Sequence, residues 1–266
     1  MKRITTLLVL FAIFGLFLVA CGGGEPAAPA APAVEEAAEE PAEEAAPAAE
    51  GYQGGAVSDG GTISGTVSYS GAPVEAETVE VDKDPEVCGD SIEISPLQVD
   101  GSGGLANVAV RITDISSGKP LDTLGSDFVM DQSGCEYSPG VVVVPVGSSL
   151  TVLNSDGILH NIHTTPFDNA PLNVAQPAAQ TELDSDPFTF PEVIPVGCDV
   201  HSWMNASIVV VDNPYAVVTG TDGSFELTDV PSGTYELEFW HAELGKQTMT
   251  VTVDAGGTAS ADMDFG

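Results

Sequence analysis

Cys198-Asp199-Val200-His201-Ser202-Trp203-Met204 runs into the apolar stretch Ala206-Ser207-Ile208-Val209-Val210-Val211. The apolar stretch reads as a strand, and so does the segment ending near Val196. The seven residues between them therefore form a tight strand-to-strand loop. On that loop a thiol, an imidazole and a thioether stand at positions i, i+3 and i+6, and all three are soft or borderline metal ligands.

Outward from the loop the pattern stays β. Thr62 to Tyr69 (TISGTVSY) alternates, as does Ala106 to Ile112 (ANVAVRI). Gly140 to Val146, Ser149 to Leu153, Gly233 to Phe239 and Thr248 to Val253 are further short runs rich in Val, Thr and Ile. Gly, Pro, Asn, Asp or Ser bound each of them, and no stretch carries a helical period. Regularly spaced strands of this kind predict an all-β chain built of sandwiches or barrels.

The N-terminus addresses the compartment. Lys2 and Arg3 precede an apolar run from Leu7 to Ala20, and Leu18-Val19-Ala20-Cys21 follows the small-residue pattern of a secretion signal. The cysteine immediately after Leu-Val-Ala resembles the bacterial lipobox. That resemblance implies a signal peptide over 1–20, cleavage before Cys21, lipidation of its thiol, and a chain held on the extracytoplasmic face of a bacterial membrane, in the periplasm or at the cell surface. Residues 21–61 are dominated by Gly, Ala, Pro and Glu, have almost nothing to pack, and read as a disordered linker. Residues 62–266 are enough for one large or two ordinary domains.

Charge narrows the partners. The chain holds 6 basic and 40 acidic side chains, a net charge of −34. Two of the basic residues, Lys2 and Arg3, lie in the signal segment. Such a surface argues against nucleic acid and anionic bilayers as partners, and permits a basic protein partner or a saline habitat.

Two further resemblances divide the folded part. Thr221-Asp222-Gly223-Ser224-Phe225-Glu226-Leu227 and Val230-Pro231-Ser232-Gly233-Thr234-Tyr235-Glu236-Leu237 resemble the signature of carboxypeptidase regulatory-like β-sandwich domains. Gly61 to Pro73 and Leu105 to Val110 resemble the first strands of the same family. If both ends build one sandwich, over 62–125 and 213–266, the middle is an insertion. The alternative is a row of sequential domains, and the near absence of a linker before Val218 favours the insertion.

The middle, residues 126–212, resembles the cupredoxins, the small Greek-key copper sandwiches, in their amicyanin- and plastocyanin-like branch. The likeness rests on Cys198-x2-His201-x2-Met204 followed by an apolar strand, with His160-Asn161-Ile162-His163 some forty residues upstream. It implies one type 1 (blue) copper held by His160, Cys198, His201 and Met204. A trigonal plane of two imidazoles and a thiolate with a weak axial thioether suits an ion cycling between Cu(I) and Cu(II). His163 is the competing histidine, and on a strand it faces the side opposite His160. The family assigns Asn161 to tying the ligand loops together, its backbone N–H reaching the cysteine sulfur. Val200 and Ser202 stand where the closest pattern has prolines. A backbone N–H at Val200 is therefore expected to reach the Cys198 sulfur. Trp203 is expected to shield or pack beside the site. His241, in Phe239-Trp240-His241, reads as a strand-end histidine, with Trp240 as an interdomain anchor.

The four cysteines then sort themselves. If Cys21 carries lipid and Cys198 a metal, Cys88 and Cys135 remain, and in an oxidising compartment they are expected to pair. A single thiolate excludes a binuclear copper centre, and His163 and His241 are too few for a second catalytic copper. The expectation is a monomeric, membrane-anchored electron carrier rather than an enzyme, serving a redox partner such as a basic c-type cytochrome. The alternatives are a copper-handling protein and a surface binding sandwich with an incidental metal site.

Overall fold

The computed structural model describes residues 51–266. The expected signal peptide, Cys21 and all of the linker up to residue 50 lie outside them. Among the described residues, apart from a four-residue helix, Pro85–Cys88, and a 3-10 turn, Leu121–Leu124, the regular structure is strand, so this part of the chain is all-β. No helix among the described residues is long and apolar enough to cross a membrane.

The central sandwich has two sheets. One runs Glu182–Asp184, Thr151–Asn154, Val129–Ser133, Glu136–Ser138. The other runs Asn173–Gln176, His160–Thr164, Val193–Gly197, Asn205–Val211, Val141–Pro145. The chain passes back and forth between them, so strands distant in sequence pair in parallel, Thr151–Asn154 with Val129–Ser133 and Asn205–Val211 with Val141–Pro145. Met130, Val144, Leu150, Val152, Ile162 and Ile208 fill the space between the sheets. At about 1.5–3 kcal/mol for each such side chain, this burial is the main term holding the layers together.

A flanking sandwich is built from both ends of the described chain. Its sheets run Ala216–Val218, Ala109–Ile112, Gly233–His241, Gly245–Val253, and Ser224–Val230, Gly61–Ser68, Thr258–Ser260, with Met263–Asp264 pairing further along Gly61–Ser68. Ile63, Val67, Val110, Ile112, Leu237 and Phe239 form its core, with Phe225 edge-on to Phe239 at 5.7 Å.

The two sandwiches meet along a third apolar cluster of Ala109, Val141, Val209, Val211 and Ala216, with Val193, Val218 and Trp240 at its margin. This explains why Ala206 to Val211 is buried at every position instead of alternating. Ile208 and Val210 point into the central core, while Val209 and Val211 point into the neighbouring sandwich. A strand covered on both faces reads as a continuous apolar run.

One segment departs from the sequence reading. The hairpin Glu77–Glu80 with Ser91–Ile94 falls within the stretch assigned to the regulatory-like sandwich (62–125), yet it packs on the central one. Val79, Val81, Ile92 and Ile94 turn inward against that core, and Glu77, Glu80, Glu93 and Asp90 stay exposed. The Cys88–Cys135 disulfide, with Cα atoms 5.5 Å apart, clips this strap to the central sandwich.

Candidate metal centre

The strands position the candidate ligands. Val193–Gly197 and Asn205–Val211 pair antiparallel up to Gly197 opposite Asn205, which fixes both ends of the loop 198–204. Within it the Met204 N–H donates to the His201 carbonyl at 3.0 Å, closing the turn. His160 opens the neighbouring strand His160–Thr164 and, by the period-two rule, faces the same interior as Ile162. His163 faces outward, and its Nδ1 meets the exposed Asp199 carboxylate at 2.9 Å. The structure thus brings His160, Cys198 and His201 together and leaves His163 outside.

Their ligand atoms lie within 4.8 Å of one another, and both imidazoles are fully buried. His160 Nδ1 and His201 Nδ1 are 3.1 Å apart, and the Cys198 Sγ is 4.0 Å from His201 Nδ1. Met204, 1% exposed, belongs to the same buried cluster as Cys198 and Trp203. A second grouping of Cys135, Asp156 and His160 contains a disulfide sulfur, which leaves it no thiolate.

The outer nitrogens explain the orientation of the rings. His160 Nε2 donates to Asp156 at 2.9 Å, and His201 Nε2 donates to Asp84 at 3.1 Å. A ring whose proton sits on Nε2 carries its lone pair on Nδ1, so that tautomer aims both Nδ1 atoms, 3.1 Å apart, at one point. Two nitrogens bonded to one ion at about 2.0 Å and a tetrahedral angle stand about 3.3 Å apart, so the spacing fits a shared cation. Burial pushes the His160 pKa down, with Asp156 opposing and His201 reinforcing, which favours the neutral ring. A carboxylate behind each ligating imidazole is the usual device for fixing tautomer and raising basicity.

The supports are shared. The Asp156 carboxylate also accepts the N–H groups of Gly134 and Cys135 at 2.6 and 2.8 Å. The Tyr137 hydroxyl is shared between the carbonyls of Asn161 and Gly197, at 2.6 and 3.0 Å, joining the two ligand-bearing strands. Burial, with Cys198 and Asp199 adding to it, drives the Tyr137 pKa well up and keeps it a donor. The Trp203 ring sits 5.2 Å from His201, and its indole N–H donates to the Cys135 carbonyl at 3.1 Å.

Two expected roles change. The N–H that reaches the Cys198 sulfur is that of His201, at 3.4 Å, and not that of Val200 or Asn161. The loop turns so that residue i+3 faces the sulfur, and Val200 instead packs against the core. Asn161 does tie the two loops together, but through its side chain, which accepts the Asp199 N–H at 3.1 Å and donates to Asn173 at 2.9 Å. His241 is buried at a strand end in the flanking sandwich, its Nδ1 accepting the Glu243 N–H at 3.2 Å. Asp84, Asp156 and Tyr137 were missed in the sequence. Only Asp156, four residues before His160, carried a local signal.

The family model of polysaccharide lyase family 4, domain II, matches residues 191–261. No curated protein matches the chain. Among solved structures it is similar to a Cu(I) form of an amicyanin mutant, at 22% identity over 33% of this chain and 84% of that one, with a TM-score of 0.29. An oxidised amicyanin mutant matches at 24% identity over 32% and 83% of the two chains, also with a TM-score of 0.29. The copper-containing nitrite reductase of Thermus scotoductus SA-01 matches at 18% identity over 37% of this chain and 24% of that one, with a TM-score of 0.30. The described chain is a β-sandwich protein with a buried His/Cys/His cluster that could hold a metal ion.

Proposed function

We propose that the chain is a mononuclear type 1 copper protein that passes single electrons between redox partners outside the cytoplasm, anchored to a membrane through a lipid on Cys21. The convergence of two imidazole Nδ1 atoms and the Cys198 sulfur in a buried pocket carries this reading. A bound copper ion supplies one-electron chemistry by cycling between Cu(I) and Cu(II).

The residues do the rest. His160, Cys198 and His201 offer the nitrogen and sulfur donors, with Met204 as a weak fourth. Asp84 and Asp156 hold the ring tautomers, and Tyr137 locks the two ligand strands to each other. Ligands held this firmly rearrange little when the charge on the ion changes, which speeds electron exchange. The acidic surface suits a basic partner such as a c-type cytochrome. A second reading, storage of Cu(I) without exchange, draws support from the full burial of both histidines.

The absorption spectrum of the Cu(II)-loaded protein tests the proposal. An intense visible thiolate-to-copper band is expected in wild type and in His163→Ala, and its loss in Cys198→Ser. A colourless protein that takes up Cu(I) would favour storage, and a protein that takes up no copper would end both readings.

A further inference from the structure

The hairpin strap reaches the candidate metal centre from a chain segment 117 residues away from His201, through a hydrogen bond of the Asp84 carboxylate. Asp84 precedes the short helix Pro85–Cys88, where an aspartate ordinarily turns its side chain back to cap the first N–H groups. Here those N–H groups, of Val87 and Cys88, are met by the Asp84 backbone carbonyl at 2.9 Å, and the side chain makes no cap. The carboxylate is directed to His201 Nε2 instead. Asp84 also holds φ 52° and ψ 42°, a left-handed conformation that a side chain adopts at some cost and that is further disfavoured before a proline. Strain of this kind persists where surrounding structure enforces it, and it concentrates at functional positions.

The enforcement is visible. Four residues on, Cys88 is bonded to Cys135, whose N–H is held by Asp156, the carboxylate behind His160. The disulfide therefore joins the support of one imidazole to the support of the other. The Trp203 indole N–H donates to the carbonyl of the same Cys135.

We propose that Asp84 is a positioning residue of the metal centre, which fixes the His201 ring with Nδ1 inward, and that the disulfide-clipped strap Glu77–Ile94 is the cover that seals the His201 edge from solvent. This inference rests on the copper reading for its consequence, but not for its test. In the metal-free full-length protein, diethylpyrocarbonate should modify the exposed His163 and spare His201, as read by peptide mass spectrometry. Asp84→Ala should make His201 reactive while His160 stays protected. Asp84→Asn, whose amide oxygen still accepts from Nε2, should preserve the protection. His201 reactive in wild type, or equally protected in Asp84→Ala, would overturn the cover. On copper loading, Asp84→Ala should lose about 10–100-fold in affinity and shift the visible band, with Asp84→Asn close to wild type. Unchanged affinity and band in Asp84→Ala would refute the positioning role. Failure of the wild type to take up copper would sink the copper reading and leave the histidine footprint to decide the cover.

Discussion

The Tyr137 hydroxyl has one proton and two carbonyls to serve, those of Asn161 and Gly197. Each of these residues lies next to a candidate ligand, His160 or Cys198. Removing the hydroxyl leaves buried acceptors without their donor, a loss of about 1–3 kcal/mol. Tyr137→Phe is therefore expected to lower the melting temperature of the metal-free protein by several degrees, at about 2–4 °C per kcal/mol for a domain of this size. A melting curve identical to wild type would show that water serves the two carbonyls equally well. At this scale the sequence was legible where chemistry and period coincide. Cys198, His201 and His160 announce themselves by ligand type, and the period of two separates His160 from His163. Tyr137 and Asp84 act across 24 and 117 residues, and no local pattern points from one partner to the other.

At the scale of the element, the strand His160–Thr164, which carries a candidate ligand, is braced at its far end. It pairs with Asn173–Gln176, and the connecting loop folds onto Glu192, whose carboxylate accepts the N–H groups of Phe167, Asp168 and Asn169 and the Asn169 side chain. Burial alone would raise the Glu192 pKa, but these four donors outweigh it and hold the carboxyl below its ordinary value. A depressed folded pKa contributes stability that is fully present above the unfolded value, about 4.3, and is lost as the pH falls through the folded one. Glu192→Gln should thus remove part of the acid-dependent loss of protection in the Phe167 to Asn169 amides, measured by hydrogen exchange from neutral pH downward. Identical pH profiles in variant and wild type would discount the brace. Strand existence was readable here from alternation and β-branched content, whereas the second buried face of Ala206 to Val211 was not. An apolar run says that both faces are covered without saying by what. The strap was misassigned for the same reason: Val79, Val81, Ile92 and Ile94 mark an inward face, and only the tertiary fold decides which core receives it.

For the whole molecule the dominant long-range term is charge. With 40 acids against 6 bases, self-repulsion opposes the compact state, and ions reduce it once the screening length falls to about 10 Å near 0.1 M salt. The melting temperature is expected to rise with added sodium chloride from low ionic strength, and a flat response would mean the acids are too dispersed to repel. The cysteine pairing was legible at this scale only conditionally, after Cys21 and Cys198 had been given other duties. The Cys88–Cys135 bridge also has a bearing on how the molecule could be cut. A minimal fragment spanning only the central strands would keep Cys135 but lose its bonded partner, lose the carboxylate behind His201, and turn Val209 and Val211 out to water. The smallest transplantable unit is therefore discontinuous, and anyone grafting this centre onto another scaffold must carry residues 77–94 along with it.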